Sequence, residues 1–80
     1  MSFDKVVYLN KLFDHYSSLL TQRQQEVFIS YYHEDLSYQE IADELGISRA
    51  GVFDTLKRTV SFLENTEMKL GFVKKYDTLI

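Results

Sequence analysis

The 80-residue sequence contains no cysteine, no proline and no tryptophan, and only three glycines. Without cysteine, the chain has no disulfide framework, no cysteine-ligated zinc site and no thiol nucleophile. Without proline, only the glycines can interrupt helices. No apolar run approaches the roughly 20 residues that span a bilayer, and the first five residues, MSFDK, do not begin a signal peptide. We therefore expect a soluble, cytoplasmic protein with no membrane insertion.

The sequence also lacks an excess of positive charge. Nine Lys and Arg against twelve Asp and Glu give a formal net charge of −3 and a pI near 5.2. Because nucleic-acid-binding domains usually carry a basic surface, such binding would need a local patch here. Residues 34–44 hold five acids and no base, whereas residues 48–60 hold three bases (Arg49, Lys57, Arg58) and one acid, Asp54. The first stretch should repel phosphate and the second should attract it weakly.

Apolar residues are plentiful, at 45% of the chain, and they recur at the three- and four-residue steps of helices. This periodicity predicts helices over about residues 4–19 and 22–32, then a short third helix, then a fourth that continues to about Lys69. The second helix should bury Val27, Phe28 and Tyr31. A further helical stripe runs from Phe72 to Ile80. We expect an all-α bundle of four or five helices that forms a single domain over residues 1–80.

Local signals mark where these helices begin and end. Thr21 and Ser37 are each followed three residues later by Gln or Glu, which is the pattern of a capping box. Gly46 and Gly71 stand where a helix closes in a left-handed cap that glycine adopts at little cost.

Residues 37–62 have the spacing of a helix-turn-helix. Ala42 allows two crossing helices to approach closely, Gly46 makes the turn, Ile47 fills the corner and Ser48 caps the longer helix. In DNA-binding proteins the start of that second helix meets base edges and phosphates in the major groove. The predicted nucleic-acid-binding residues lie on its exposed side: Ser48, Arg49, Ala50, Gly51, Asp54, Lys57 and Arg58.

Groups of residues along the chain carry a family resemblance: NKLFD at 10–14, Tyr16, SLLT at 18–21, Tyr31-Tyr32, Asp35, EIADE at 40–44, Ser48-Arg49, VFD at 52–54, LKRT at 56–59 and KLG at 69–71. Residues 37–63 resemble region 4 of bacterial sigma factors. Residues 5–75 as a whole resemble the YlxM family of small bacterial helix-turn-helix proteins.

The resemblance implies a regulatory protein of the signal recognition particle pathway that forms homodimers. Its implied partners are nucleic acid, either DNA or the particle's RNA, and a GTPase of the particle. The chain departs from the family at Ala50-Gly51, where members carry a glutamine-like residue and alanine, so a donor to base edges is lost. Members are also longer than 80 residues, and we expect the end of the last helix to be missing from this sequence.

Two other functions stay open. A protein-interaction module would dock a basic partner, such as a targeting GTPase, on the acidic residues Glu34, Asp35, Asp43 and Glu44. A sigma-like transcription regulator would bind a defined DNA site. We expect no enzyme activity, because no catalytic constellation is visible. No cofactor is expected, and no metal, because His15 and His33 are isolated from each other.

Surplus apolar residues predict a dimer interface in a tail over residues 64–80, together with Phe62. The predicted interface residues are Phe62, Phe72, Val73, Tyr76, Leu79 and Ile80. The alternative is a terminal helix that folds back on its own core. A second group of aromatic residues could stack on RNA bases or line the rim of a small domain: Tyr8, Tyr31, Tyr32, Tyr38 and Phe53.

Overall fold

The computed structural model describes the backbone of residues 3–79 and the side chains of residues 3–76. Over residues 3–79 it contains helices and no strand, which confirms the predicted all-α class. The helices are α1 (Phe3–Tyr16), α2 (Gln22–Phe28), α3 (Tyr38–Leu45), α4 (Arg49–Leu70) and α5 (Phe72–Leu79). None of these helices is both long enough and apolar enough to cross a membrane.

The predicted capping boxes form at the starts of α2 and α3. The Thr21 hydroxyl accepts from the Gln24 amide at 3.1 Å, and the Gln24 side chain accepts from the Thr21 amide at 3.0 Å. Ser37 and Glu40 make the same two bonds, at 3.1 and 3.0 Å. Each box pairs two backbone amides that would otherwise lack partners. The local sequence therefore fixes where both helices begin.

The two predicted glycine caps also form. Gly46 ends α3 with φ at 69°, and Gly71 ends α4 with φ at 66°. Their amides donate to the carbonyls of Ala42 at 2.9 Å and Glu67 at 2.8 Å. Because a side chain at such a positive φ is strained, both positions favour glycine.

The second helix differs from its prediction as one α-helix over residues 22–32. The α-helix ends at Phe28, and a wider π-helical turn follows over Ile29–His33. The Glu34 amide donates to the Ile29 carbonyl at 2.9 Å, five residues back. The extra residue in the turn directs Ser30 into the core and leaves Tyr31 only half-buried, although Val27 and Phe28 are buried as predicted. Similarly, the first α-helix ends at Tyr16, and Ser17–Leu19 form a 3-10 turn.

The long helix α4 is central, and α1, α2 and α3 all pack against it. The rings of Phe13 and Phe28 stack at 4.4 Å between centroids and join α1 to α2. Ile47, predicted to fill the corner, is half-buried against this core, and so is Leu45. The buried apolar residues are Leu9, Leu12, Phe13, Tyr16, Leu20, Val27, Phe28, Ile41, Ala42, Val52, Leu56, Leu63 and Val73.

Helix α5 folds back on the bundle and contacts α1 and α4. Val73, which the sequence assigned to a dimer interface, is only 2% exposed and belongs to the core of its own chain. The correction has a geometric cause, since the turn at Gly71 directs this face of α5 inward. Phe72 and Tyr76 stay 52% and 54% exposed.

Candidate nucleic-acid interface

The corner between α3 and α4, which we call the α3–α4 corner (residues 46–51), leaves the start of α4 open to solvent. The Ser48 hydroxyl accepts from the Gly51 amide at 2.9 Å. The side chains of Arg49 and Ala50 are exposed. The first amides of a helix have no partner within it, and together with the helix dipole they favour an anion. A cation and free amides therefore occupy the same exposed helix end.

A groove of about 580 Å³ lies between the starts of α3 and α4. The start of α4 faces this groove with its partial positive charge, and Arg49 adds a full charge, whereas the start of α3 is already capped by the Glu40 carboxylate. The sequence predicted Arg49 and Ala50 but missed the contribution of α3. The sequence signal that could have indicated it was the capping box at Ser37, which marks the start of α3. The groove is lined by Ser37, Tyr38, Gln39, Arg49, Ala50 and Phe53.

The other two predicted cations, Lys57 and Arg58, lie further along α4 and are both exposed. Arg58 does not stand alone, because its Nε lies 3.0 Å from Oδ2 of Asp54, one turn earlier. Both side chains of this ion pair are largely exposed, so it contributes little to stability. It nevertheless places a carboxylate beside one of the three cations that were expected to contact phosphate.

Glycine lowers the stability of a helix, but at position 51 it also has a local packing role. A Cβ atom built on it would lie 3.1 Å from the Ser48 hydroxyl oxygen and 4.0 Å from a methyl of Ile47. Glycine therefore leaves room for the capping hydroxyl at the first turn of α4.

The structure brings together four of the five aromatic residues considered for base stacking. The rings of Tyr31 and Tyr38 stack at 5.1 Å, and Tyr38 meets the edge of Phe53 at 5.8 Å. A hydrogen bond with Tyr31, followed by burial, raises the pKa of Tyr38. Tyr32 also contacts Tyr31, whereas Tyr8 lies on α1 beneath the Lys5 ammonium, 5.7 Å away.

The corner between α4 and α5, the α4–α5 corner (residues 67–74), is built around the buried Glu67 carboxylate. Its Oε1 accepts from the Tyr16 hydroxyl at 2.7 Å and from the Val73 amide at 3.1 Å. Its Oε2 accepts from the Lys74 amide at 3.1 Å. The Phe72 amide donates in turn to the Tyr16 hydroxyl at 3.2 Å. Three amides at the start of α5 thus find partners within the chain.

These contacts shift the pKa values of both Glu67 and Tyr16. Burial alone would raise the pKa of Glu67, but the bonds from Tyr16 and the two amides, helped by nearby His15, outweigh burial and lower it. Burial and the bond to Glu67 raise the pKa of Tyr16. No local sequence pattern indicates this pair, whose members are 51 residues apart.

The remaining predicted residues are placed separately. Phe62, Phe72 and Tyr76 are exposed, so they remain accessible to a partner. The side chain of Leu79 and the whole of Ile80 lie outside the described residues. His15 packs against Tyr76, whereas His33 bonds Asn10 at 3.0 Å.

Comparisons with known proteins give a consistent result. Residues 3–80 match the family described as "UPF0122: Putative helix-turn-helix protein, YlxM / p13 like". A UPF0122 protein of Shouchella clausii is 47% identical over 75 residues, and UPF0122 protein YlxM of Bacillus subtilis is 46% identical over 76. A UPF0122 protein of Thermoanaerobacter sp. is 47% identical over 77 residues. These matches cover 94–96% of this chain and 66–69% of the relatives.

Proposed function

Because the chain belongs to the UPF0122 family of YlxM/p13-like helix-turn-helix proteins, we propose that it is a non-enzymatic regulatory protein that binds nucleic acid. The binding surface is the α3–α4 corner together with the exposed side of α4. The observation that carries this proposal is the exposed start of α4, where Arg49 and the first amides of the helix border a groove. An anion such as a backbone phosphate suits that arrangement.

The contacts divide by chemistry into those that hold phosphate and those that face bases. Ser48, Arg49, Lys57 and Arg58 supply a hydroxyl and three cations for phosphates, which position a protein without reading sequence. Ala50 and Gly51 present almost no side chain, and Asp54 can accept only from an amine such as that of cytosine. We infer that affinity comes mostly from phosphate and that sequence discrimination is weak.

Three cations release few counterions, so a single copy should bind weakly and with a shallow salt dependence. We propose that the protein acts as a homodimer, which doubles these contacts. The exposed Phe62, Phe72 and Tyr76 support an apolar interface. Sedimentation equilibrium tests this, since a wild-type dimer should dissociate on the double substitution Phe72→Ser and Tyr76→Ser. A wild-type monomer at micromolar concentration would contradict it.

The pathway that we propose for this binding is that of the signal recognition particle, and its support is the family resemblance alone. Two fluorescent probes separate the candidate ligands at low salt: a mixed-sequence DNA duplex and the RNA of the particle. Tighter binding of the RNA would favour the targeting pathway. Tighter binding of the duplex would favour a transcription regulator of the sigma type.

Anisotropy titration of the Arg49→Ala, Arg58→Ala double variant tests the interface. We expect affinity for either probe to fall by about tenfold, because two phosphate contacts are lost. The matched control is Lys69→Ala with Lys75→Ala, which removes the same charge from two exposed lysines away from the interface. Unchanged binding in the first variant, or an equal loss in both, would overturn the proposal.

A further inference from the structure

A second groove, of about 440 Å³, is lined by Tyr31, which stacks on Tyr38. We call it the tyrosine groove. Its apolar part comes from α1, from the π-helical turn and from the loop that follows, and two carboxylates border it. The residues that matter here are Val6, Tyr31, Tyr32, Asp35, Leu36 and Glu40.

The two tyrosine rings in this groove are almost perpendicular. Tyr31 and Tyr32 have centroids 5.0 Å apart and an angle of 86° between their planes. Each ring also packs against another aromatic ring, Tyr31 against Tyr38 at 5.1 Å and Tyr32 against Phe28 at 4.7 Å. Both residues line the groove, so this edge-to-face pair gives it an aromatic wall, and the π surface of such a wall attracts organic cations.

The charged residues that line the tyrosine groove are acidic, which suits the binding of a cation. Asp35 and Glu40 both line it and are exposed. Bonds from the backbone and side chain of Ser37 lower the pKa of Glu40, so it is ionised at neutral pH. Burial, then the neighbouring Tyr31, raises the pKa of Tyr32 to about 12, which keeps that ring neutral. The groove therefore combines two negative charges with uncharged rings.

The charges nearest to the groove along the chain are acidic or paired. Lys5, next to Val6, lies 2.7 Å from the carboxylate of Glu64, so the charges of that pair offset each other. Glu34, Asp43 and Glu44 are exposed on the same acidic segment of the chain. A phosphate would be repelled here, whereas an ammonium or guanidinium group would be attracted.

We propose that the tyrosine groove binds an arginine or lysine side chain from a basic amphipathic segment of another protein. The cationic group lies against Tyr31 and Tyr32 and pairs with Asp35 and Glu40. The apolar neighbours of that residue pack on Val6 and Leu36. This site goes beyond the proposed nucleic-acid interface and does not depend on it, because its carboxylates exclude the ligand that the α3–α4 corner attracts.

The test uses a fluorescein-labelled amphipathic peptide of leucine and arginine, with a counterpart in which glutamate replaces every arginine. The groove variant is Asp35→Asn with Glu40→Gln. Asparagine tolerates the positive φ of 61° at position 35, and glutamine preserves the capping box, so the fold should persist. The matched control, Asp43→Asn with Glu44→Gln, changes net charge equally on exposed residues that do not line the groove.

We expect the arginine peptide to bind and the glutamate peptide not to bind. The groove variant should weaken binding by about tenfold, because both charge-assisted contacts are lost, while the control should change it less than about twofold. Tyr31→Leu should also weaken it, by about threefold, through loss of the ring. Equal losses in the groove and control variants would indicate diffuse attraction and overturn the proposal.

Other occupants of the groove would give different results. If the groove variant alters the sedimentation of the free protein, the occupant is a second copy of the chain and the proposal is wrong. If a single-stranded RNA binds more weakly to Tyr31→Leu but not to the Arg49 variant, the rings stack on bases instead. Failure of the peptide to bind wild-type protein at millimolar concentration would also overturn it. The sedimentation and peptide outcomes leave the Arg49 and Arg58 test of nucleic-acid binding unaffected, whereas the RNA outcome would also contradict the nucleic-acid contact proposed at the α3–α4 corner.

Discussion

Helices α3 and α4 end in the same way, at glycines with φ of 69° and 66°, and in each case another helix begins within three residues. At the α4–α5 corner the new helix start is closed, because Glu67 and Tyr16 bind its amides. At the α3–α4 corner only the Ser48 hydroxyl caps the helix, and Arg49 beside it is exposed.

The difference between the corners lies in whether the chain supplies its own anion. A helix start carries partial positive charge wherever it occurs, so its presence alone says little about function. The carboxylate of Glu67 satisfies that charge internally, and this corner serves stability. The α3–α4 corner adds a cation where the other corner adds an anion, and that addition is what makes it a candidate binding site.

A substitution of Glu67 at the α4–α5 corner should have the largest effect. Glu67→Gln retains the shape of the side chain but puts an amide group against amide donors. The side chain is only 8% exposed, so we expect the free energy of unfolding to fall by about 2 kcal/mol. Urea denaturation measures this. Glu64→Gln, which loses a half-exposed ion pair with Lys5, is the control and should cost less than about 0.5 kcal/mol. Similar losses of unfolding free energy in the two variants would contradict the stabilising role assigned to Glu67.

The same corner predicts a dependence on pH. The pKa of Glu67 is lowered below its usual value of 4.5 in the folded protein, so its ionised form stabilises the fold. That contribution is complete above about pH 4.5 and is lost as pH falls through the folded-state pKa. The stability difference between wild type and Glu67→Gln should therefore shrink on acidification. A difference that stays constant from neutral pH to pH 3 would exclude the charged form as the stabilising one.

Gly46 and Gly71, which end α3 and α4, should respond alike to substitution. A Cβ atom at Gly46 or at Gly71 would meet nothing within 4 Å, so the cost of alanine is the positive φ alone. We expect Gly46→Ala and Gly71→Ala each to reduce the free energy of unfolding by about 1 kcal/mol. Thermal denaturation compares them. Costs that differ by more than twofold would show that the two corners do not share one backbone geometry.

The smallest effect is expected at the Asp54–Arg58 ion pair, which lies near the α3–α4 corner. Asp54→Asn should release Arg58 and remove a negative charge, so affinity for the DNA duplex should rise by about two- to threefold at low salt. Glu44→Gln removes the same charge from α3 and should have a smaller effect. The opposite sign, weaker binding by the Asp54 variant, would indicate that Asp54 accepts a hydrogen bond from a base.

Most of the local structure was predictable, because caps and glycine turns depend on residues within four positions of each other. The boxes at Thr21 and Ser37 and the left-handed glycines formed as predicted. The pairing of Asp54 with Arg58 follows the same spacing and could also have been predicted.

What the sequence did not predict depends on contacts between distant residues. The π-helical turn at Ile29–His33 arises where α2 meets the rest of the core, and no local pattern distinguishes it from an α-helix. The burial of Val73 depends on the direction in which α5 leaves Gly71, and the bond between Tyr16 and Glu67 depends on the packing of α1 against α4. The tyrosine groove likewise forms only when α1 packs beside the π-helical turn.

One experiment can compare the α3–α4 and α4–α5 corners within the same molecule. An amide NMR titration with the DNA duplex or the particle RNA at low salt reports on every helix start at once. We expect the amides of residues 49–51 to shift, while those of residues 72–74, already bound within the chain, do not. Shifts at residues 72–74 with none at residues 49–51 would contradict this expectation.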